Sequence, residues 1–142
     1  MTLTSFQSPN VPLYGVATSA ANINDYPGLD IYGWSYFSYD GTLYNGPGSY
    51  GLAYGDPWTA GDVIGIAYDA NSGKIYFSKN CTWQNFSNPE MGLSPAFSGI
   101  SGEVYPMVGG GSSGGGFNNI NTANFGQSSF SCAVPNGFTA GW

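Results

Sequence analysis

The chain has 142 residues, with two basic side chains, Lys74 and Lys79, against eight acidic ones and no histidine, for a net charge of −6. That balance leaves no cationic surface to neutralise phosphates, which argues against nucleic acid or an anionic membrane as partner. Charged residues are only 7% of the chain and aromatic ones 17%, so neutral polar groups and tyrosine hydroxyls must wet the surface, a character suited to contacts with proteins or sugars. The length supports one domain over residues 1–142 with a core of its own. Pro and Gly interrupt every apolar run before the roughly 18 residues of a membrane helix, and no export signal is visible at the N-terminus.

In chain order, period-two patterns predict strands at Pro12 to Ala17, Ile31 to Tyr39, Thr42 to Tyr44, Asp62 to Tyr68, Lys74 to Ser78, Val104 to Val108 and Ile120 to Phe125. Turn residues separate them at Asp40-Gly41, at Asn45-Gly46 with Pro47-Gly48, and at Asn71-Ser72-Gly73. No helix of ordinary length is expected. The run GDVIGIAYDANSGKIYFSKN, Gly61 to Asn80, is the clearest element. Val63, Ile64, Ile66 and Tyr68 place apolar residues on both sides of the chain, the pattern of a central strand, and the Asn71–Gly73 turn makes the segment a hairpin. The sequence GGGSSGGG at 109–116 has no side chains to pack and much backbone entropy to lose, so a mobile surface loop is expected there.

Cys81 and Cys132 allow a single disulfide without requiring it, and two cysteines in a chain with no visible export signal are more often free thiols. Two thiols and no histidine do not make a zinc site. Asp69, Asn71 and Gly73 have the alternate spacing of a calcium loop, but its twelfth position, which needs a bidentate glutamate, is Asn80; a hairpin turn accounts for these residues. No metal and no cofactor are expected.

Catalysis finds little support. The only glutamates, Glu90 and Glu103, fall in different loops or strand ends and lack the closely spaced acidic motif of a sandwich glycosidase. Serines have no histidine to take a proton, and the cysteines have only Lys79 nearby to depress a thiol pKa. The glycine run lacks the trailing lysine and following helix of a phosphate cradle. The strongest functional candidates are aromatic residues in or beside connections: Tyr26, Tyr39, Tyr50, Trp58, Trp83 and Phe86. A ring stacks on a sugar face or fills a protein pocket at little entropic cost. Trp34, beside Gly33 and Tyr36, is read as core.

Eight elements in order carry a resemblance over most of the chain: Tyr14-Gly15-Val16-Ala17, Gly33-Trp34-Ser35-Tyr36, Tyr50-Gly51, Gly61 to Asn80, Pro95-Ala96-Phe97, Tyr105-Pro106, Asn124 to Gln127, and Phe130. With these the chain resembles SPRY domains. The resemblance implies an all-β fold, a two-sheet antiparallel β-sandwich of the concanavalin A-like, jelly-roll kind. Trp83-Gln84-Asn85, the run Ser94 to Gly102, and Pro135 to Phe138 are similar to the SPRY modules of bacteriophage structural and tail proteins. Two departures stand out. An aromatic-rich strand runs, in the family, into what is here Met1 to Phe6, so the first sheet looks short of a strand that a neighbouring chain or further polypeptide would supply. Cys81 occupies a position where the family usually has glycine, which suggests a wider turn and an insertion over Thr82 to Glu90.

The resemblance implies a non-catalytic binding and assembly module, a virion tail, fibre or capsid-decoration component. Contacts with virion or host proteins would run through the loops at Asn22 to Leu29, Tyr50 to Trp58, Thr82 to Pro89 and Gly109 to Asn119. The alternative is a lectin-like receptor-binding domain in which tyrosines and neutral amides contact host glycans. A strand-exchanged or homo-oligomeric assembly would complete the first sheet.

Overall fold

In a computed structural model, residues 2–5, 11–48, 50–110 and 120–142 are described. Ten strands follow one another: β1 (Thr2–Ser5), β2 (Pro12–Ala17), β3 (Gly33–Phe37), β4 (Thr42–Tyr44), β5 (Leu52–Ala53), β6 (Ile64–Asp69), β7 (Lys74–Lys79), β8 (Thr82–Trp83), β9 (Tyr105–Gly110) and β10 (Ile120–Thr122). All pairings are antiparallel, in a five-stranded sheet ordered β5-β4-β3-β2-β9, a three-stranded sheet β6-β7-β8 and a ribbon β1-β10. The antiparallel β-sandwich that the resemblance implies is present. A single 3-10 turn, Gln84–Phe86, is the only helical element among the described residues.

The core lies between the five- and three-stranded sheets. Tyr14 and Val16 of β2 sit opposite Tyr36 and Trp34 of β3, so one period-two face of both strands points inward. Against it pack Ile64, Ile75 and Phe77 from the smaller sheet, with Tyr54, Trp58, Ile100 and Val104 from connections. Ring packing dominates: Tyr36 lies 5.5 Å from Phe77 and 5.7 Å from Tyr54, and Tyr14 lies 4.5 Å from Trp58. Each such aromatic pair contributes about 0.5–1.5 kcal/mol beyond the area it buries.

The outward face of the larger sheet is partly covered by the β2–β3 connection. Ser35 Oγ donates to Pro27 O at 2.5 Å. The connection lies so close to the sheet that a Cβ on Gly109 would meet Tyr26 Cα at 2.7 Å, and one on Gly33 would meet Gly28 N at 2.6 Å. Glycine is needed at both positions for this approach.

Several expectations are corrected. β6 is an edge strand and β7 is central. Ile64, Ile66 and Tyr68 share one face while Val63 precedes the strand, and on the other face Ala67 is buried opposite buried Tyr76, so both faces are covered although the strand lies at an edge among the described residues. The strand expected at the N-terminus is present as β1, Thr2–Ser5, and it pairs with β10 of the same chain. The turn at Cys81 is not widened. Ser78 pairs with Trp83 and Lys79 with Thr82, which leaves Asn80 and Cys81 as a two-residue turn with φ of 48° and 69°. Gly109 and Gly110 close β9 opposite Leu13 and Pro12; residues 111–116 of the expected loop lie outside the described residues. Cys81 and Cys132 are not free thiols but a disulfide, with Cα atoms 5.2 Å apart. The fold brings together two positions 51 residues apart in the chain, a proximity that spacing alone does not reveal.

Candidate functional site

Tyr36 and Leu43 point into the core, so their neighbours Phe37 and Tyr44 project from the opposite face of β3 and β4. There they organise a group of rings. Tyr44 lies 5.3 Å from Phe37, 5.4 Å from Tyr50 and 6.1 Å edge-on to Tyr26, and Phe37 lies 6.2 Å from Tyr39. Three of the six candidate residues, Tyr26, Tyr39 and Tyr50, thus converge through two that sequence reasoning missed. The signal for the missed pair was available: once Trp34 and Tyr36 are read as core, alternation turns Phe37 outward.

The tips of this group meet solvent. Tyr39 is 71% exposed and Tyr50 41%, whereas Tyr26, Phe37 and Tyr44 are half-buried bases. The Tyr50 hydroxyl donates to Leu29 O, which ties the β4–β5 connection to the β2–β3 connection. Burial pushes the Tyr26 phenol above its ordinary pKa, with further contributions from Tyr50, Asp25 and Tyr44. The Tyr26 phenol is therefore neutral over the physiological range. The ring group offers flat apolar faces and hydroxyl donors.

The remaining candidates separate. Trp58 is core, 3% exposed, and stacks between Tyr14 and Tyr36. Trp83 is half-buried on β8, and Phe86 is 99% exposed just beyond it, with φ of +54° at both Asn85 and Phe86. Buried Gln84 anchors this turn by accepting from Asp56 N at 2.8 Å and donating to Thr82 O at 2.9 Å. The expected loops Tyr50 to Trp58 and Thr82 to Pro89 therefore adjoin at Asp56 and Gln84, while Tyr50 at the start of the first belongs to the ring group around Tyr44.

The acids are engaged elsewhere and do not converge. Glu90 accepts from Asn136 N at 2.9 Å and from its amide at 3.2 Å, and these bonds hold its carboxyl below the usual range. Glu103 accepts from the Tyr105 hydroxyl, which raises that phenol. Asp69 caps the β6–β7 turn through Ser72 and the Asn71 N–H, and it too is held low, chiefly by the Ser72 hydroxyl. Among the described residues no three His, Cys, Asp or Glu side chains group as a metal site, and no helix is long and apolar enough to cross a membrane.

The SPRY domain profile matches residues 6–128. Ran-binding protein 9 of Xenopus laevis is 32% identical over 116 residues, 82% of this chain and 19% of the relative. Ran-binding protein 10 of Danio rerio is 31% identical over 116 residues, 82% of this chain and 17% of the relative. Dual specificity protein kinase splA of Dictyostelium discoideum is 35% identical over 97 residues, 68% of this chain and 4% of the relative. The chain thus spans less than a fifth of the length of these relatives.

Proposed function

The chain belongs to the SPRY domain family, a family of protein-interaction modules, and from that membership we propose that it is a non-catalytic binding module whose contact surface is the ring group Tyr26, Phe37, Tyr39, Tyr44 and Tyr50. One observation carries the reading: five rings in mutual contact stand on the non-core face of β3 and β4 with Tyr39 and Tyr50 in solvent. Rigid aromatic clusters with an apolar base and polar tips are the composition of interface anchors. The partner is a protein with an apolar pocket and a carbonyl or carboxylate acceptor for the Tyr39 hydroxyl, the Tyr50 hydroxyl being engaged with Leu29 O. A photo-cross-linking residue placed at 39 or 50 in the full-length protein captures that partner, and one at Asn71 on the β6–β7 turn does not. Equal capture at all three positions, or capture at 71 alone, overturns the surface.

Placement of the module in a bacteriophage virion rests on Trp83-Gln84-Asn85, the run Ser94 to Gly102, and Pro135 to Phe138. The relatives above come from an amphibian, a fish and a slime mould and add nothing to it. Co-sedimentation with assembled particles tests it. Glycan binding is the second reading, favoured by the flat tyrosine faces at Tyr39 and Tyr50; a glycan array that stays blank with folded protein removes it.

A further inference from the structure

β7 has β6 on one side, and β6 has no strand on its other side among the described residues. Phe77 turns its backbone groups away from β6, toward the Tyr54 hydroxyl, so its opposite number Ile66 directs its own N–H and C=O to the outer edge of β6. The same alternation carries those of Tyr68 to that edge. Beside it lies a cleft of about 1020 Å³ whose far wall is the C-terminal segment, residues 123–142, which contains no strand or helix.

Three ties hold that wall in place. Trp142 stacks on Tyr68 at 6.2 Å with an interplanar angle of 16°, and its indole N–H donates to Val104 O at 3.3 Å. Glu90 accepts two hydrogen bonds from Asn136. The third tie is covalent, Cys81–Cys132. Cys81 is exposed and sits at φ +69°, in a two-residue turn whose geometry favours glycine. The backbone there accepts a strained residue, and what that residue supplies is the bond to the segment.

We propose that Cys81–Cys132 is a redox-releasable latch that holds residues 123–142 in place as the far wall of the cleft beside β6, and that reduction frees the segment while the sandwich stays folded. The sandwich does not depend on the segment, since the core residues lie between Tyr14 and Val104. A dithiol reductant carries out the release. Its thiolate attacks one sulfur of the pair, Cys81 Sγ being exposed, and forms a mixed disulfide as the Cys132 thiolate leaves and takes a proton. The second thiol of the reductant then closes on the first and expels Cys81. Two electrons pass from the dithiol to the protein, which ends with two thiols.

Hydrogen exchange with mass spectrometry on the full chain, before and after dithiothreitol, tests the latch. Exchange over 123–142 rises at least tenfold on reduction, while β2 and β3 are unchanged. Two variants give the same release without reductant: Cys132→Ser, which leaves the turn as it is, and Cys81→Gly, which relaxes it. Unchanged protection of 123–142 in the reduced protein overturns the proposal. So does loss of protection in β2 and β3 along with the segment, which would make the bond a staple of the whole fold.

Discussion

The hydroxyl of Tyr54 accepts the N–H of Phe77 at 3.2 Å and faces the carbonyl oxygen of the same residue at 3.4 Å. It stands where the backbone of a neighbouring strand would be. β8 pairs only with Ser78 and Lys79, and at the other end of β7 Ile75 bonds to Phe97 O and Ala96 N. Between them Phe77 has no strand on that side, and a buried backbone without partners is costly. A side chain closes the gap, and burial raises its phenol pKa, opposed by the bond to Phe77.

Tyr54→Phe therefore removes the partner of two buried backbone groups at once. The expected loss is about 2 kcal/mol, read as a lower denaturant midpoint at unchanged slope. An unaltered midpoint would mean that water replaces the hydroxyl and that the bridge contributes nothing.

Trp58 and the surface tyrosines should respond in opposite ways. Trp58→Ala empties a site between Tyr14 and Tyr36 and costs about 3–5 kcal/mol. Trp58→Phe keeps the ring and removes an indole N–H that has no hydrogen-bond partner among the described residues, so it costs less than half as much. Tyr39→Ser leaves stability within about 0.5 kcal/mol while weakening partner capture by about tenfold or more. Thermal unfolding beside a cross-linking yield separates the two classes of effect.

At the β6–β7 turn, Gly73 has φ +63°, and a Cβ there would meet Ile100 O at 2.2 Å. Both the left-handed backbone and the contact oppose a side chain, so Gly73→Ala destabilises by more than about 1 kcal/mol. Gly51, also at positive φ but with nothing near its Cβ position, is the control and loses less under the same change.

Alkali should unfold the protein through its buried phenols. Burial raises the pKa of Tyr14 and of Tyr36 in the fold, so the native state binds these protons more tightly than the unfolded chain. Their contribution is complete below the unfolded value of about 10 and is lost as pH climbs beyond it toward the raised native values. Denaturation midpoints measured from pH 8 to 12 fall steeply above 10, and less so in Tyr14→Phe.

Alternation placed β2 and β4 at their observed bounds, although β2 is buried on both faces and its burial shows no period. It misplaced β6, since a strand covered on both faces has the same apolar pattern at a sheet edge as between two neighbours. β5 and β8 are two residues long and carry no period. Trp58 lies in a connection that dips into the core, and nothing local distinguishes such a residue from a loop anchor. Of the ring group, Tyr26, Tyr39 and Tyr50 were legible as aromatic residues near turns. Their convergence on Tyr44 depends on how two connections fold over one sheet.

Phe37 and Tyr44 rise from strands whose reverse side is the hydrophobic interior. A partner docking on the proposed surface meets rings already fixed in orientation at their bases, and capture surrenders little rotational freedom. Selectivity can drift through changes at Tyr39 and Tyr50 alone, with the scaffold beneath them left undisturbed.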